Sequence, residues 1–76
     1  NTNALIEHDV IVGDHCHIST GAIVNGDANV GSGSFVGSGS IIKEGITLGS
    51  NCVVGMDVAV RHSYAENSRI LISSKS

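Results

Sequence analysis

The sequence has no proline, no tryptophan, one phenylalanine and one tyrosine. A wide globular core is ordinarily filled by aromatic rings. A core made almost only of Ile, Val, Leu and Ala instead implies a narrow interior, repeated many times. Basic residues are scarce: four Lys and Arg, for a formal net charge of −3. That balance argues against nucleic acid or an anionic membrane surface as a partner. No apolar run approaches the roughly 20 residues needed to cross a bilayer, and no signal peptide is visible. Only two cysteines occur, Cys16 and Cys52. At 76 residues the chain is one domain at most, and so short a chain usually needs partners or crosslinks to stabilise it.

What the sequence does have is a beat of six. An aliphatic residue recurs at Ile6, Val12, Ile18, Val24, Val30, Val36, Ile42, Leu48, Val54 and Val60. Four residues after each comes a mostly small residue: Val10, Cys16, Ala22, Ala28, Ser34, Ser40, Ile46, Cys52, Val58 and Tyr64. Glycine often follows the aliphatic position directly, as at Gly13, Gly31, Gly37, Gly49 and Gly55, or two residues after that, as at Gly21, Gly33, Gly39 and Gly45. The period and the glycine content exclude an α-helix.

Strand alternation turns the beat into geometry. The small residue and the next aliphatic residue are two apart, so both point inward on one short strand. The remaining three residues form a corner, where Gly and Asn relieve backbone strain. Three sides, or 18 residues, close one triangular coil, and coils stack at about 4.8 Å through parallel ladders. The expected fold is an all-β parallel β-helix of about three to four coils over residues 1–65, with a terminal edge strand and tail over 66–76. Cys16 and Cys52 then share one interior position two coils apart, roughly 9.6 Å. That exceeds disulfide reach, so free thiols and a cytoplasmic setting are expected. Glu66 falls where an aliphatic residue is due, so the pattern weakens after Tyr64. Residues 69–72 are expected to add an edge strand.

The outward strand residues sort into three faces: Ile11, Asn29 and Thr47; His17, Phe35 and Val53; Ile23, Ile41 and Ala59. Two adjacent faces are largely apolar, which usually marks an interface. Two such faces on a triangular rod suit a three-fold assembly. Scattered surface apolarity is the alternative.

Four histidines are many for this length. His8 sits at a corner between Glu7 and Asp9. An acidic neighbour can hold an imidazole in one tautomer and raise its basicity, as a general base for a sugar amine or hydroxyl requires. One coil above His8, at the same corner, is Gly26. A residue without a side chain there exposes a backbone N–H able to stabilise the oxyanion of an attacked thioester. The alternative is that His8 is a solvated corner residue. His17 lies about one and a half sides away around the coil, so a pocket using both would be shared between subunits. Its alternative is a packed interface histidine. His15 and His62 read as surface residues.

The stretch Ile6-Glu7-His8-Asp9-Val10-Ile11-Val12-Gly13, followed by His15-Cys16-His17-Ile18-Ser19, resembles one branch of the bacterial hexapeptide-repeat acyltransferases. That branch holds the sialic acid O-acetyltransferases and the N-acetyltransferases of nucleotide-linked amino sugars. The resemblance runs from about Ala4 to Val60. It implies a left-handed winding, against the usual right-handed rule for parallel crossovers. It implies transfer from acetyl-CoA to a sugar, with no metal, His8 as general base, Asp9 as the acidic residue that supports it, and Gly26 at the oxyanion position. His17, Ser38 and Met56 would contact acetyl-CoA, although a glycine is more usual at Met56. It further implies a homotrimer with active sites between subunits. Members of the branch carry an N-terminal nucleotide-sugar-binding domain, which this chain lacks.

Two rival readings stay open. A β-helical carbonic anhydrase needs three imidazoles on one metal ion, and the four histidines have no spacing that brings three together within a chain. A non-enzymatic β-helix, such as an ice-binding module, calls for a regular threonine ladder. Thr2, Thr20 and Thr47 do not form one.

Overall fold

The computed structural model describes residues 4–73. Two-residue strands succeed one another: β1 Leu5–Ile6, β2 Ile11–Val12, β3 His17–Ile18, β4 Ile23–Val24, β5 Asn29–Val30, β6 Phe35–Val36, β7 Ile41–Ile42, β8 Thr47–Leu48, β9 Val53–Val54, β10 Ala59–Val60 and β11 Arg69–Ile70. They assemble into three parallel sheets, β1-β4-β7-β10, β2-β5-β8 and β3-β6-β9-β11. Each strand lies in a different sheet from the one before it, so the chain winds around a three-sided rod. Leu5 pairs with Ile23, Ile11 with Asn29 and His17 with Phe35, a spacing of 18 residues each time. The expected triangular coil is therefore observed, with the hexapeptide beat of a left-handed parallel β-helix.

The second residue of each strand points inward. Val24, Val30, Val36, Ile42, Leu48, Val54 and Val60 are buried, as are the mostly smaller Ala22, Ala28, Ser34, Ser40, Ile46, Cys52 and Val58 between them. Ile6 and Val12 hold the same inward positions yet are 42% and 38% exposed. Among the described residues nothing stacks beneath the first coil to cover them.

The corners impose two different demands on side chains. At every sixth residue from Asp9 to Asp57 the backbone is left-handed, and those positions hold only Gly, Asn, Asp and His15. These are the types that tolerate positive φ at least cost. His15, with φ 60°, thus has a structural account. Directly after the core residue, Gly13, Gly31, Gly37 and Gly49 answer to space instead. A Cβ on Gly31 would lie 2.4 Å from the carbonyl carbon of Gly49, and one on Gly49 would lie 2.4 Å from the Glu66 nitrogen. Backbone stacks on backbone at that corner with no room between.

The same stacking explains the polar interior. Ser34 Oγ donates to the Gly49 carbonyl and accepts the Cys52 N–H, both at 3.1 Å. Ser40 does likewise with the Gly55 carbonyl and the Val58 N–H. The thiols of Cys16 and Cys52 donate to Gly31 and Ala65 carbonyls at 3.1 and 3.2 Å. Cys16, Ser34 and Cys52 therefore form one column that satisfies corner carbonyls which would otherwise be costly to bury. Both cysteines are free thiols, as expected.

Tyr64 departs from expectation. It does not take the small inward position but bridges Leu48, 16 residues earlier rather than 18. Arg69 pairs with Val53 at the same reduced spacing. The corner after Val60 is two residues short, so Tyr64 and then Ile70 hold the larger core position. Glu66 consequently falls in a corner, which removes the apparent break in the pattern. The shortened corner would cost the Thr47 N–H its rung, but Ser63 Oγ accepts it at 2.9 Å. At the last coil Ser73 Oγ accepts the Ala59 N–H at 3.0 Å. The expected edge strand is β11, confined to Arg69–Ile70, and residues 74–76 of the expected tail lie outside the described residues.

The two kinds of corner glycine should respond oppositely to substitution. Gly31→Ala is expected to destabilise by about 2 kcal/mol or more, because the methyl group meets backbone that cannot move aside. Gly45→Asn is expected to stay within about 0.5 kcal/mol of the parent, since open space surrounds Gly45 and Asn51 already adopts the required φ. Urea denaturation of the two variants checks both.

Candidate functional site

The edge that follows β1, β4, β7 and β10 gathers most of the ionisable side chains. His8, Gly26 and Glu44 occupy equivalent turn positions in successive coils, with Glu7, Asn25 and Lys43 one residue before them, and Arg61 and His62 lie in the shortened corner that follows β10. His8 and Gly26 line one open recess of about 430 Å³ with Ile6 and Glu7. Residues 18 apart are stacked here because the rung between coils runs through this corner: the Asp27 N–H donates to the His8 carbonyl at 3.2 Å. His8 and Gly26 therefore share a corner, as the six-residue repeat predicts.

Gly26 has no need to be glycine for the fold. Its φ is not in the left-handed region, and a Cβ would meet only the His8 carbonyl oxygen at 3.4 Å and a Glu7 carboxylate oxygen at 4.0 Å, ordinary contacts. Other corners carry Thr20, Ser32, Ser38, Ser50 or Met56 at this position. Gly26 is half-buried and borders the recess without a side chain of its own.

That N–H has a partner which sequence reasoning did not assign. Glu7 Oε1 accepts the Gly26 N–H at 3.2 Å. The available signal is positional, a carboxylate one coil below and one residue before the position under the glycine. Asp9, by contrast, turns the backbone at φ 61°. Among the described residues no hydrogen bond joins its carboxylate to the His8 imidazole.

The remaining candidates lie elsewhere on the rod. His17 projects from β3 and stacks on Phe35 in β6, with ring centroids 5.2 Å apart and planes 10° apart. It also borders a second recess of about 310 Å³ at the open first coil, beside Ala4, Ile6, Val12, Cys16 and Ile18. Ser38 and Met56 are exposed and stacked at the corner that precedes β7 and β10, where the Asp57 N–H donates to the Ser38 carbonyl at 2.9 Å. Their corner and the His8 corner thus border the two ends of one sheet. Within one chain the structure unites His8 with Gly26 and Ser38 with Met56, and leaves His17 apart from both. Among the described residues no group of three or more His, Cys, Asp or Glu side chains could hold a metal ion. Among the described residues no helix is long and apolar enough to cross a membrane.

A three-sided rod of short parallel strands with a six-residue beat is a parallel β-helix. Consistent with this, a family model described as the hexapeptide repeat of succinyl-transferase matches residues 28–61. The match supports the hexapeptide-repeat acyltransferase superfamily at the level of repeat and fold. It begins beyond His8 and Gly26. No curated protein and no solved structure matches the chain.

Replacing Gly26 by Ala tests whether the glycine serves the fold. The variant is expected to unfold within about 0.5–1 kcal/mol of the parent, the cost of an unstrained surface change. A thermal melt of the two proteins measures this.

Proposed function

We propose that the chain is the β-helical module of an acetyl-CoA-dependent sugar acetyltransferase acting on a hydroxyl or amine. The observation that carries this reading is the recess shared by His8 and Gly26, in which an imidazole and a peptide N–H are presented from adjacent coils by a glycine that the fold does not require. The acyl-transfer chemistry of the superfamily, supported by the repeat match, needs both groups. His8 takes the proton from the acceptor as its oxygen or nitrogen attacks the thioester carbonyl. The Gly26 N–H holds the oxygen that gains charge as the tetrahedral intermediate forms. Asp9 places a negative charge next in sequence to the imidazolium so produced. The coenzyme A thiolate leaves, taking up the proton His8 carries. His8→Ala is expected to lower turnover about 10²–10⁴-fold with the melting temperature unchanged, measured as thiol release from acetyl-CoA in the presence of a sugar acceptor. Normal turnover would overturn the assignment.

The reading extends to an assembly. The β1-β4-β7-β10 face carries Leu5 and Ile41 at 52% and 43% exposure, and Phe35 on the next face is 41% exposed. Apolar faces on two sides of a triangular rod are suited to cyclic packing of three copies. Such packing brings His17, Ser38 and Met56 of one copy toward His8 of the next, the arrangement in which they contact acetyl-CoA. Sedimentation equilibrium is expected to give three times the 7.8 kDa chain mass. Ile41→Asp is expected to shift the protein to monomer.

A further inference from the structure

The Gly26 N–H is the donor that acyl transfer calls on, yet a carboxylate of the same chain already holds it. The contact is not part of the scaffold. At the corners from Asp27 onward the amide of the left-handed residue bonds down to the coil below, as from Asp27 to His8, Gly33 to Asp14, Gly45 to Gly26 and Asp57 to Ser38. The amide of Gly26 precedes that rung and lies outside it. Its acceptor is a side chain, Glu7 Oε1, on an exposed residue one coil away. Exchanging this acceptor breaks no backbone bond. The Glu7 backbone stays anchored, its own N–H donating to the Val24 carbonyl at 3.0 Å. Only side-chain torsions need to move.

A carboxylate and a developing oxyanion cannot share one N–H. Both are acceptors only, and like charges at that separation repel. Leaving Glu7 in place during attack on the thioester would remove the donor and add a negative charge beside the oxygen that is gaining one. Building on the acetyl-transfer reading above, we infer that Glu7 is a displaceable latch on the oxyanion position, closed on the Gly26 N–H in the free protein and released when the acyl oxygen of the donor enters. Glu7 is thereby a positioning residue: it keeps the N–H directed into the recess, excludes other anions, and yields to the thioester. The contact is weak enough for this. Exposed charge-assisted pairs hold a closed form over an open one by no more than about fivefold, so the latch slows nothing by a large factor and can be opened by binding alone.

The test uses Glu7→Ala and Glu7→Gln in the complete chain. The Gly26 amide proton is followed by nitrogen-15 NMR, together with acetyl-CoA affinity by calorimetry. In Glu7→Ala the Gly26 amide proton is expected to move upfield while that of Asp27, bonded to the His8 carbonyl, stays in place. Acetyl-CoA is expected to bind Glu7→Ala about two- to fivefold more tightly than the parent, with Glu7→Gln between the two. An unmoved Gly26 signal shows that no latch is closed in solution and overturns the inference. So does equal or weaker donor binding by Glu7→Ala when the signal has moved. Neither result touches the role of His8, which the His8→Ala assay decides separately. Absence of acetyl-CoA binding to all three chains overturns the acetyl-transfer reading and the latch with it.

Discussion

Everything in this rod follows from the distance between two stacked coils. Parallel backbone ladders hold adjacent strands about 4.8 Å apart, and each coil must meet that spacing on all three sides and at all three corners. On the sides the requirement is met by regular pairing, Leu5 over Ile23 over Ile41. At the corners it is met by whatever residue type the local geometry allows. Backbone against backbone leaves room only for hydrogen at Gly31 and Gly49. Inward-facing corner carbonyls demand a donor, which Ser34, Ser40, Cys16 and Cys52 supply. The strict spacing is met by a narrow core of aliphatic and small side chains, and the single tyrosine, Tyr64, packs against it only partly buried at the last coil.

Local repairs show how strongly the ladder governs. When the corner after Val60 loses two residues, the chain does not slip into a new register. It re-enters with Tyr64 at the larger core position, and a serine hydroxyl replaces the carbonyl that no longer reaches Thr47. A second serine does the same for Ala59. A hydroxyl suits this task because it can accept a backbone N–H without requiring a further strand beside it.

The same spacing governs what chemistry one chain can assemble. Two groups one coil apart on an edge are within reach of a single small reacting group, which is the relation of His8 to Gly26. Groups on different sides are separated by the thickness of the rod, as His17 is from His8. A site that needs more than two or three groups must therefore draw them from a neighbouring rod, and the exposed apolar faces provide a means of holding one there. Glu7 adds a constraint of another kind. The Gly26 N–H that borders the recess is also a good partner for a carboxylate, and Glu7 Oε1 accepts it from the coil below.

Much of this was legible in the sequence, because a solenoid converts sequence spacing into spatial neighbourhood. The ten aliphatic positions, the coil length, the free cysteines and the sharing of one corner by His8 and Gly26 all follow from counting in sixes and eighteens. Counting failed where the chain itself broke count: nothing local at Arg61–Ser63 announces the lost pair of residues, and only the pairing of Tyr64 with Leu48 and of Arg69 with Val53 reveals that the beat resumes in phase. Counting also says where a Cα lies and not where a flexible side chain ends. That Glu7 reaches up to the Gly26 N–H, that Asp9 serves the turn and forms no hydrogen bond with His8, and that His17 lies flat on Phe35 were decided by tertiary structure. Each depends on side-chain torsions and on packing between coils, which the periodicity of the backbone leaves free.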